Sequence, residues 1–381
     1  MGRILQQKTS FLIAFIFFGA FALGSASASE PLPLEEGKFA SAKECGSCHK
    51  EIYDMWKDSM HSKAMTDPIF RATFMEVYVA SKGELKKTCL KCHAPTTLIT
   101  GDFDAEKEIT MEGVTCHFCH SLRDAHPNSD PENPERFDIH PGKTIMSPKK
   151  GLENDFHTTK KSPLHKKSEL CAGCHEFSYN GIKLMSTYSE WLDGPYSAKG
   201  IHCQNCHMIK QKVGRGTAAK EVFSHYLAGG HSVTQIKKAV KVNIVGVKKQ
   251  KDRFVVDLLV ENVGSGHSVP TGIPTRKLIL TCEVNTGDKI TRKKKIIYEK
   301  VIFDAKGREL KKDSEIMLGL GVQIVKDNRI APGEARKEKL VFYIEPKGEI
   351  LVSVKIEYAY HPKVLQEVDM KIEMSRAEKV F

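Results

Sequence analysis

The hydrophobic pattern of this chain changes its period near residue 238. Beyond that point apolar residues alternate with polar ones in five runs. These are Val240, Val242 and Ile244; then Phe254, Val256, Leu258 and Val260; then Leu278, Leu280, Cys282 and Val284; then Ile350, Val352, Val354, Ile356 and Tyr358; and last Val368, Met370, Ile372 and Met374. A period of two puts each set on one face of a strand. Turn-forming segments, Asn285-Thr-Gly-Asp288 and Ala331-Pro-Gly-Glu334, separate runs. Residues 238–381 therefore predict an antiparallel β-sandwich. Cys282 falls on an apolar face and reads as a buried, inert thiol.

Ahead of residue 238 the regular signals are sparse. Between Glu51 and Lys87, Ile52, Met55 and Trp56 share one helical face, and Phe74, Val77 and Tyr78 share another. Residues 125–163 are rich in Pro, Asn, Asp and Gly and read as loop. The expected fold class is thus an α plus irregular domain with little regular secondary structure over residues 29–237, followed by the all-β domain. At the start, Arg3 and Lys8 precede an apolar run from Phe11 to Leu23, and Ala26-Ser27-Ala28 forms a small-x-small cleavage site. Residues 1–28 read as a secretory signal peptide. The apolar run is shorter than the roughly 20 residues of a spanning helix. No transmembrane segment is expected after cleavage, and the protein is expected to be exported, to the periplasm or the cell exterior.

Composition changes the picture through cysteine and histidine. The 381 residues include 11 Cys and 16 His. All but Cys282 precede residue 210, and they fall into five Cys-x-x-Cys-His motifs: Cys45, Cys48 and His49; Cys89, Cys92 and His93; Cys116, Cys119 and His120; Cys171, Cys174 and His175; Cys203, Cys206 and His207. Their spacing is irregular, so the chain is not a solenoid. Export permits disulfides, yet a disulfide framework does not require a His after the second Cys of every pair. The motif is the attachment signature of c-type haem: two thiols add to two vinyl groups and the adjacent His binds the iron. The expectation is five covalently attached haem c groups on these ten cysteines, with the five motif histidines as metal ligands. A zinc or redox pair explains a single copy but not five in an exported chain.

Eleven further histidines lie outside the motifs: His61, His117, His126, His140, His157, His165, His202, His225, His231, His267 and His361. They suffice to supply every iron with a second ligand. Such an iron has no open position and carries electrons. For any one of them the plain reading is a surface or hydrogen-bonded imidazole. Context separates them: His61 follows the first motif by one helical segment, His157 and His165 precede the fourth, and His225 and His231 follow the fifth. His126, His140 and His361 neighbour Pro in polar stretches, and His117 and His202 abut attachment cysteines. His267 lies in Val263-Gly-Ser-Gly-His267-Ser-Val-Pro270-Thr-Gly272, a turn-rich break between two strand patterns where glycines allow close approach to a bulky neighbour. The formal charge of +11 invites a nucleic-acid partner. Loss of residues 1–28 lowers it by two, and each haem adds about −1 when ferric and −2 when ferrous. Five haems cancel most of the excess, so no nucleic-acid partner is expected.

At these residues a resemblance enters. Trp56-x-x-Ser-x-His61, Gly113-Val-Thr-Cys-x-x-Cys-His120, Ser168-Glu-Leu-Cys-x-x-Cys-His175, Trp191-x-x-x-Pro195-Tyr, Cys203-Gln-x-Cys-His-Met208 and Gly229-Gly-His231 together resemble the cytochrome c-554 family of multihaem cytochromes. That family is related to the multihaem hydroxylamine oxidoreductases and to cytochromes that polymerise into extracellular filaments. The resemblance implies distal ligand roles for His61, His157, His225 and His231. The segment from Asn262 to Gly272 resembles the start of a β-domain appended to some such cytochromes, which would place His267 beside a haem as a fifth distal ligand. The family type has four motifs where this chain has five, and no Cys-x-x-Cys-Lys is present. The implied function is electron transfer without catalytic residues, between redox protein donors and acceptors, with self-association into filaments as an option. The alternative is an oxidoreductase acting on a small nitrogen or sulfur oxide at one open haem.

Overall fold

The structure is a computed structural model and describes residues 34–126, 136–149, 151, 153–214, 219–286, 291–344, 348–363 and 370–381. The signal segment 1–28 lies outside the described residues. Among those described, no helix is long and apolar enough to cross a membrane.

Each attachment motif sits on or at the end of a short helix: Ala42–Cys48, Lys86–His93, Cys116–His120, Glu169–His175 and Cys203–His207. Helical spacing puts cysteines three apart on one face. Local chemistry starts these helices. Ser41 caps the first in a capping box with Glu44, and Thr115 caps the third by accepting from the Phe118 N–H. The expected helical stretch becomes Lys50–Lys57 and Pro68–Ala80, the latter capped by Asp67 with Pro68 in its first turn.

Three two-stranded ribbons run between the motifs and a fourth follows the last of them. β1 (Leu122–Ala125) pairs β2 (Phe137–Ile139), β3 (Thr144–Ser147) pairs β4 (Thr158–Lys161), β5 (Phe177–Tyr179) pairs β6 (Ile182–Met185), and β7 (Lys210–Val213) pairs β8 (Lys220–Phe223). The expectation of plain loop over 125–163 is therefore corrected. The breaker residues shorten the strands there without preventing pairing, and β3 and β4 run parallel. Apolar clusters in this half are small, such as Phe118, Leu122, Ala125, Phe137 and Leu164.

A helix, Val233–Ala239, leads directly into β9 (Val240–Gln250), followed by β10 (Arg253–Asn262), β11 (Arg276–Thr286), β12 (Thr291–Tyr298), β13 (Lys300–Asp304), β14 (Gly321–Asp327), β15 (Ala335–Tyr343), β16 (Ile350–Tyr360) and β17 (Met370–Val380). They form antiparallel sheets of order β15-β10-β9 and β12-β11-β16-β17, with β13 and β14 as a separate ribbon. One apolar cluster draws Val256 and Leu258 from β10, Leu280 and Cys282 from β11, and Val354 and Ile356 from β16. Phe254 is fully buried in it, and truncation to Ala would cost roughly 3–5 kcal/mol. Cys282 is fully buried, and that burial pushes its thiol up to about 12. Strands β12 to β15 escaped the alternation pattern. In β12 the run Arg292-Lys-Lys-Lys295 is exposed, and only Tyr298 is buried.

The described residues belong to one compact unit. The motif-bearing half joins the β half through a mixed cluster of Phe177 and Leu184 with Ile302, Leu310 and Ile316. A buried ion pair, Glu190 with Arg329 at 2.6 Å, makes a second link.

Candidate functional site

Among the described residues none of the ten motif cysteines is in a disulfide; nine are partly accessible and Cys48 is exposed, in contrast to the buried Cys282. Sulfurs from different motifs lie near one another: Cys45 near Cys116, Cys92 near Cys174, and Cys171 near Cys203. The charge of Cys119 acts on both Cys171 and Cys174. The first motif thus neighbours the third, the third the fourth, and the fourth both the second and the fifth.

Motif histidines face histidines from remote parts of the chain. Ring centres of His49 and His157 lie 6.3 Å apart, those of His175 and His61 6.3 Å, and those of His207 and His267 6.4 Å. An imidazole nitrogen binds a metal at about 2.0 Å, with its ring centre roughly 1.2 Å behind, so two imidazoles on one metal ion place their centres about 6.3–6.4 Å apart. The three pairs fit a group whose iron lies between them.

Hydrogen bonds set the same tautomer repeatedly. His93 donates through Nδ1 to the Ala64 carbonyl (3.0 Å), His120 to Met146 (2.6 Å), His207 to Ala228 (2.6 Å), His225 to Phe223 (2.8 Å) and His267 to Ser268 (2.9 Å). An Nδ1–H so engaged leaves the Nε2 lone pair free for a metal. Burial pushes His61 and His225 down to about 4 and, reinforced by facing imidazoles, His175 to about 3. Neutral imidazole, the ligating form, is therefore favoured across the physiological range.

Backbone geometry aims His61. Gly113, at φ 72°, approaches the His61 carbonyl so closely that a Cβ would lie 2.5 Å from it. The next residue donates its N–H to that carbonyl (3.0 Å), and Trp56 Nε1 donates to the Val114 carbonyl (2.9 Å). The Trp56, His61 and Gly113 positions noted in the sequence therefore form one brace.

The other histidines separate by their partners. His165 lies 5.5 Å from His120 by ring centres; its Nε2 donates to the Cys119 carbonyl, and its buried Nδ1 has no hydrogen-bond partner. His117 is buried, accepts the Ala40 N–H at Nδ1 and donates to Gly142 from Nε2. Both nitrogens of His117 are thus engaged within the chain. His202 accepts the Ser168 N–H, and His140 pairs with Asp138. Among the described residues no motif imidazole makes a ring contact with His231; it shares with His93 the nearby charge of Asp67. The ring stacked on His93 is that of Phe70, at 3.8 Å.

Sequence reasoning missed two features here. One is the Glu190–Arg329 pair beneath the His267 loop. Glu190 accepts from the Ser268 N–H (3.2 Å) and the Thr271 hydroxyl (2.8 Å), and Arg329 donates to the Pro270 carbonyl (3.2 Å). The other is Arg276 with Tyr358, described below. Their partners are remote in sequence, so no local pattern announces them.

Three comparisons bear on this geometry. A family model described as cytochrome c554 and c-prime matches residues 44–121. Cytochrome c-554 of Nitrosomonas europaea is 28% identical over 160 residues, which is 38% of this chain and 60% of that protein. The chain thus spans three fifths of the length of that curated relative. The crystal structure of a penta-heme cytochrome c552 from Thermochromatium tepidum superposes with a TM-score of 0.69 at 21% identity, covering 91% of this chain and 100% of that one. That likeness shows a shared fold extending through both halves.

Proposed function

We propose that this chain, a multihaem c-type cytochrome with about five covalently bound haem c groups, relays electrons and performs no chemistry on a substrate. When bound, the haems supply one-electron exchange at their irons. The supporting observation is the pairing of His49, His175 and His207 with His157, His61 and His267 at 6.3–6.4 Å. In this reading the ten motif cysteines anchor the groups and the motif histidines bind on one side. His157, His61 and His267 close the opposite side. His225 serves the iron of His120, since its Nε2 is free and His120 acts on its charge state. His231 remains for the iron of His93. The chain's contribution would be to orient the imidazoles that hold each group, exclude water and set spacing. The nearness of sulfurs from different motifs supports a path running from the first through the third to the fourth, with branches to the second and fifth.

Low-temperature electron paramagnetic resonance of the holoprotein tests the reading. Purely low-spin ferric signals are expected. A substantial high-spin signal would instead favour the second reading, reduction of a small nitrogen or sulfur oxide at one open iron. The observation behind that alternative is His93, against which Phe70 rather than a second imidazole is stacked.

The same reading extends to location and assembly. An exported carrier meets redox proteins in the cell envelope or at the cell surface, and an extracellular filament subunit is its most specialised form. Electron microscopy of material sheared from cells checks the latter: only monomers at high concentration, with bare native cells, would count against it. The C-terminal half is rich in antiparallel sheet, and the apolar cluster shared by its two sheets supports reading it as a β-sandwich.

A further inference from the structure

Arg276 opens β11 and pairs across the ladder with Tyr360, while Tyr358 lies two residues further along β16 on the same face. That face is otherwise the apolar inner face of the sheet: Leu278 pairs with Tyr358 and Leu280 with Ile356. A guanidinium at the end of such a face is expensive unless compensated. Its compensation within the chain is incomplete. Arg276 donates from Nη1 to the Thr271 carbonyl (3.3 Å) and stacks over the Tyr360 ring at 5.2 Å. Its Nε is buried with no hydrogen-bond partner, and so is the hydroxyl of Tyr358, a residue only 5% exposed. The nearby acid, Asp313, does not close the gap, because its carboxylate receives the hydroxyls of Thr275 and Tyr360.

Two orphaned donors thus converge in one place, and the motif-bearing half closes over them. A Cβ on Gly230 would lie 3.2 Å from the Tyr358 hydroxyl and 3.4 Å from Arg276 Nη1. Gly272, at φ 85°, comes so near that a Cβ would lie 2.7 Å from the same Nη1. A planar cation and a phenol that both lack acceptors match a carboxylate. Building on the haem assignment above, we propose that Arg276 and Tyr358 form a carboxylate site at the end of the β-sheet core, and that its occupant is a propionate of a haem packed against the Gly230 segment. The β half then takes part in the redox chemistry: its fixed cation stabilises the reduced, less positive state of that haem.

The test uses the full holoprotein as Arg276→Gln, Arg276→Lys and Tyr358→Phe variants. A pyridine haemochrome count comes first. Five haems per chain keep the cofactor assignment intact, so failure of that assignment is distinguishable from failure of the site. Potentiometric titration is then followed by absorbance and paramagnetic resonance. In Arg276→Gln one of the potentials should fall, with its reduction equilibrium weakened at least tenfold, about 59 mV for a one-electron couple. Arg276→Lys should recover part of the shift, and Tyr358→Phe should move the same potential in the same direction by less. A merely structural arginine would not be rescued in potential by lysine. Formate added to the parent protein should leave the potentials unchanged. A saturable formate effect that vanishes in Arg276→Gln would give the site to a free anion and overturn the propionate assignment. Unchanged potentials in all three variants would overturn the site itself. If Arg276→Gln does not assemble, the Tyr358→Phe and Arg276→Lys potentials decide.

Discussion

Removing the carboxylate of Glu190 should loosen the loop that carries His267. Glu190 lies on the Thr187–Leu192 helix between the fourth and fifth motifs. Its side chain is 9% exposed and that of Arg329 is 8% exposed. Besides the 2.6 Å contact to Arg329, the carboxylate accepts from the Ser186 hydroxyl (2.8 Å), the Ser268 N–H and the Thr271 hydroxyl. Breaking a buried pair from one side costs about 3–5 kcal/mol, because the remaining charge stays uncompensated. Arg329 keeps Asp327, which it grips through Nε and Nη2 at 2.8 Å each, so Glu190→Ala belongs at the low end, about 3 kcal/mol. Arg329→Ala removes the direct ion-pair partner of Glu190 and belongs at the upper end. Replacing both partners by apolar residues of similar shape should cost less than either single change. Chemical denaturation of the holoprotein, followed by ellipticity of the β half, measures these differences. Paramagnetic resonance of Glu190→Ala should also show a new high-spin component from the iron of His207. A Glu190→Ala variant within about 0.5 kcal/mol of the parent, with unaltered low-spin signals, would refute the argument that this pair holds the loop.

Intact mass and a haemochrome assay should find five haems per mature chain, and Cys203→Ala with Cys206→Ala should remove one. His267→Ala should retain five haems, since its attachment cysteines are untouched, yet turn one iron high-spin; signals identical to the parent would remove His267 from the ligand set. Residues 238–381, expressed without haem-maturation machinery, should give a β-type circular dichroism spectrum, and a disordered one would count against an autonomous β half. Lys300 is buried, donating to the Lys183 carbonyl (3.1 Å) and the Ser186 hydroxyl (3.3 Å), and burial lowers it to about 8. Between that value and its ordinary 10.5 the unfolded chain binds the extra proton, so stability should rise with pH across this window, by roughly 3 kcal/mol in all. Lys300→Met should flatten that rise; an unchanged slope would show that Lys300 is not its source.

What sequence made legible follows from how far each signal reaches along the chain. The motifs are local, so their cysteines and adjacent histidines could be read directly, whereas the short helices that carry them emerge only in the structure. Five of the nine long strands announce themselves because one face is apolar and the other polar. β12 does not, because its exposed lysines mask a strand whose only buried side chain is Tyr298. Histidine partners are a matter of tertiary structure. His61 is braced by Gly113 from more than fifty residues away, and nothing near His165 shows that its Nε2 is already spent on the Cys119 carbonyl. Arg276 looks in sequence like an ordinary strand-end cation; its orphaned Nε appears only once Tyr358 and Gly230 are folded around it.

In the ligation proposed above, the long reach of the histidine pairs makes them cross-links. His49 and His157, like His61 and His175, lie more than a hundred residues apart, and His207 and His267 sixty apart. A staple across about 100 residues removes chain entropy worth about 4–5 kcal/mol from the unfolded state, in the loop-closure account of disulfides. An axial nitrogen differs from a disulfide in that a competing ligand or a proton releases it. The loops closed by the first and fourth motif histidines overlap, so the second staple closes within a chain already shortened by the first. This half of the molecule should therefore come apart in ligand-exchange steps: concentrated imidazole would unfasten it loop by loop while every thioether stays intact.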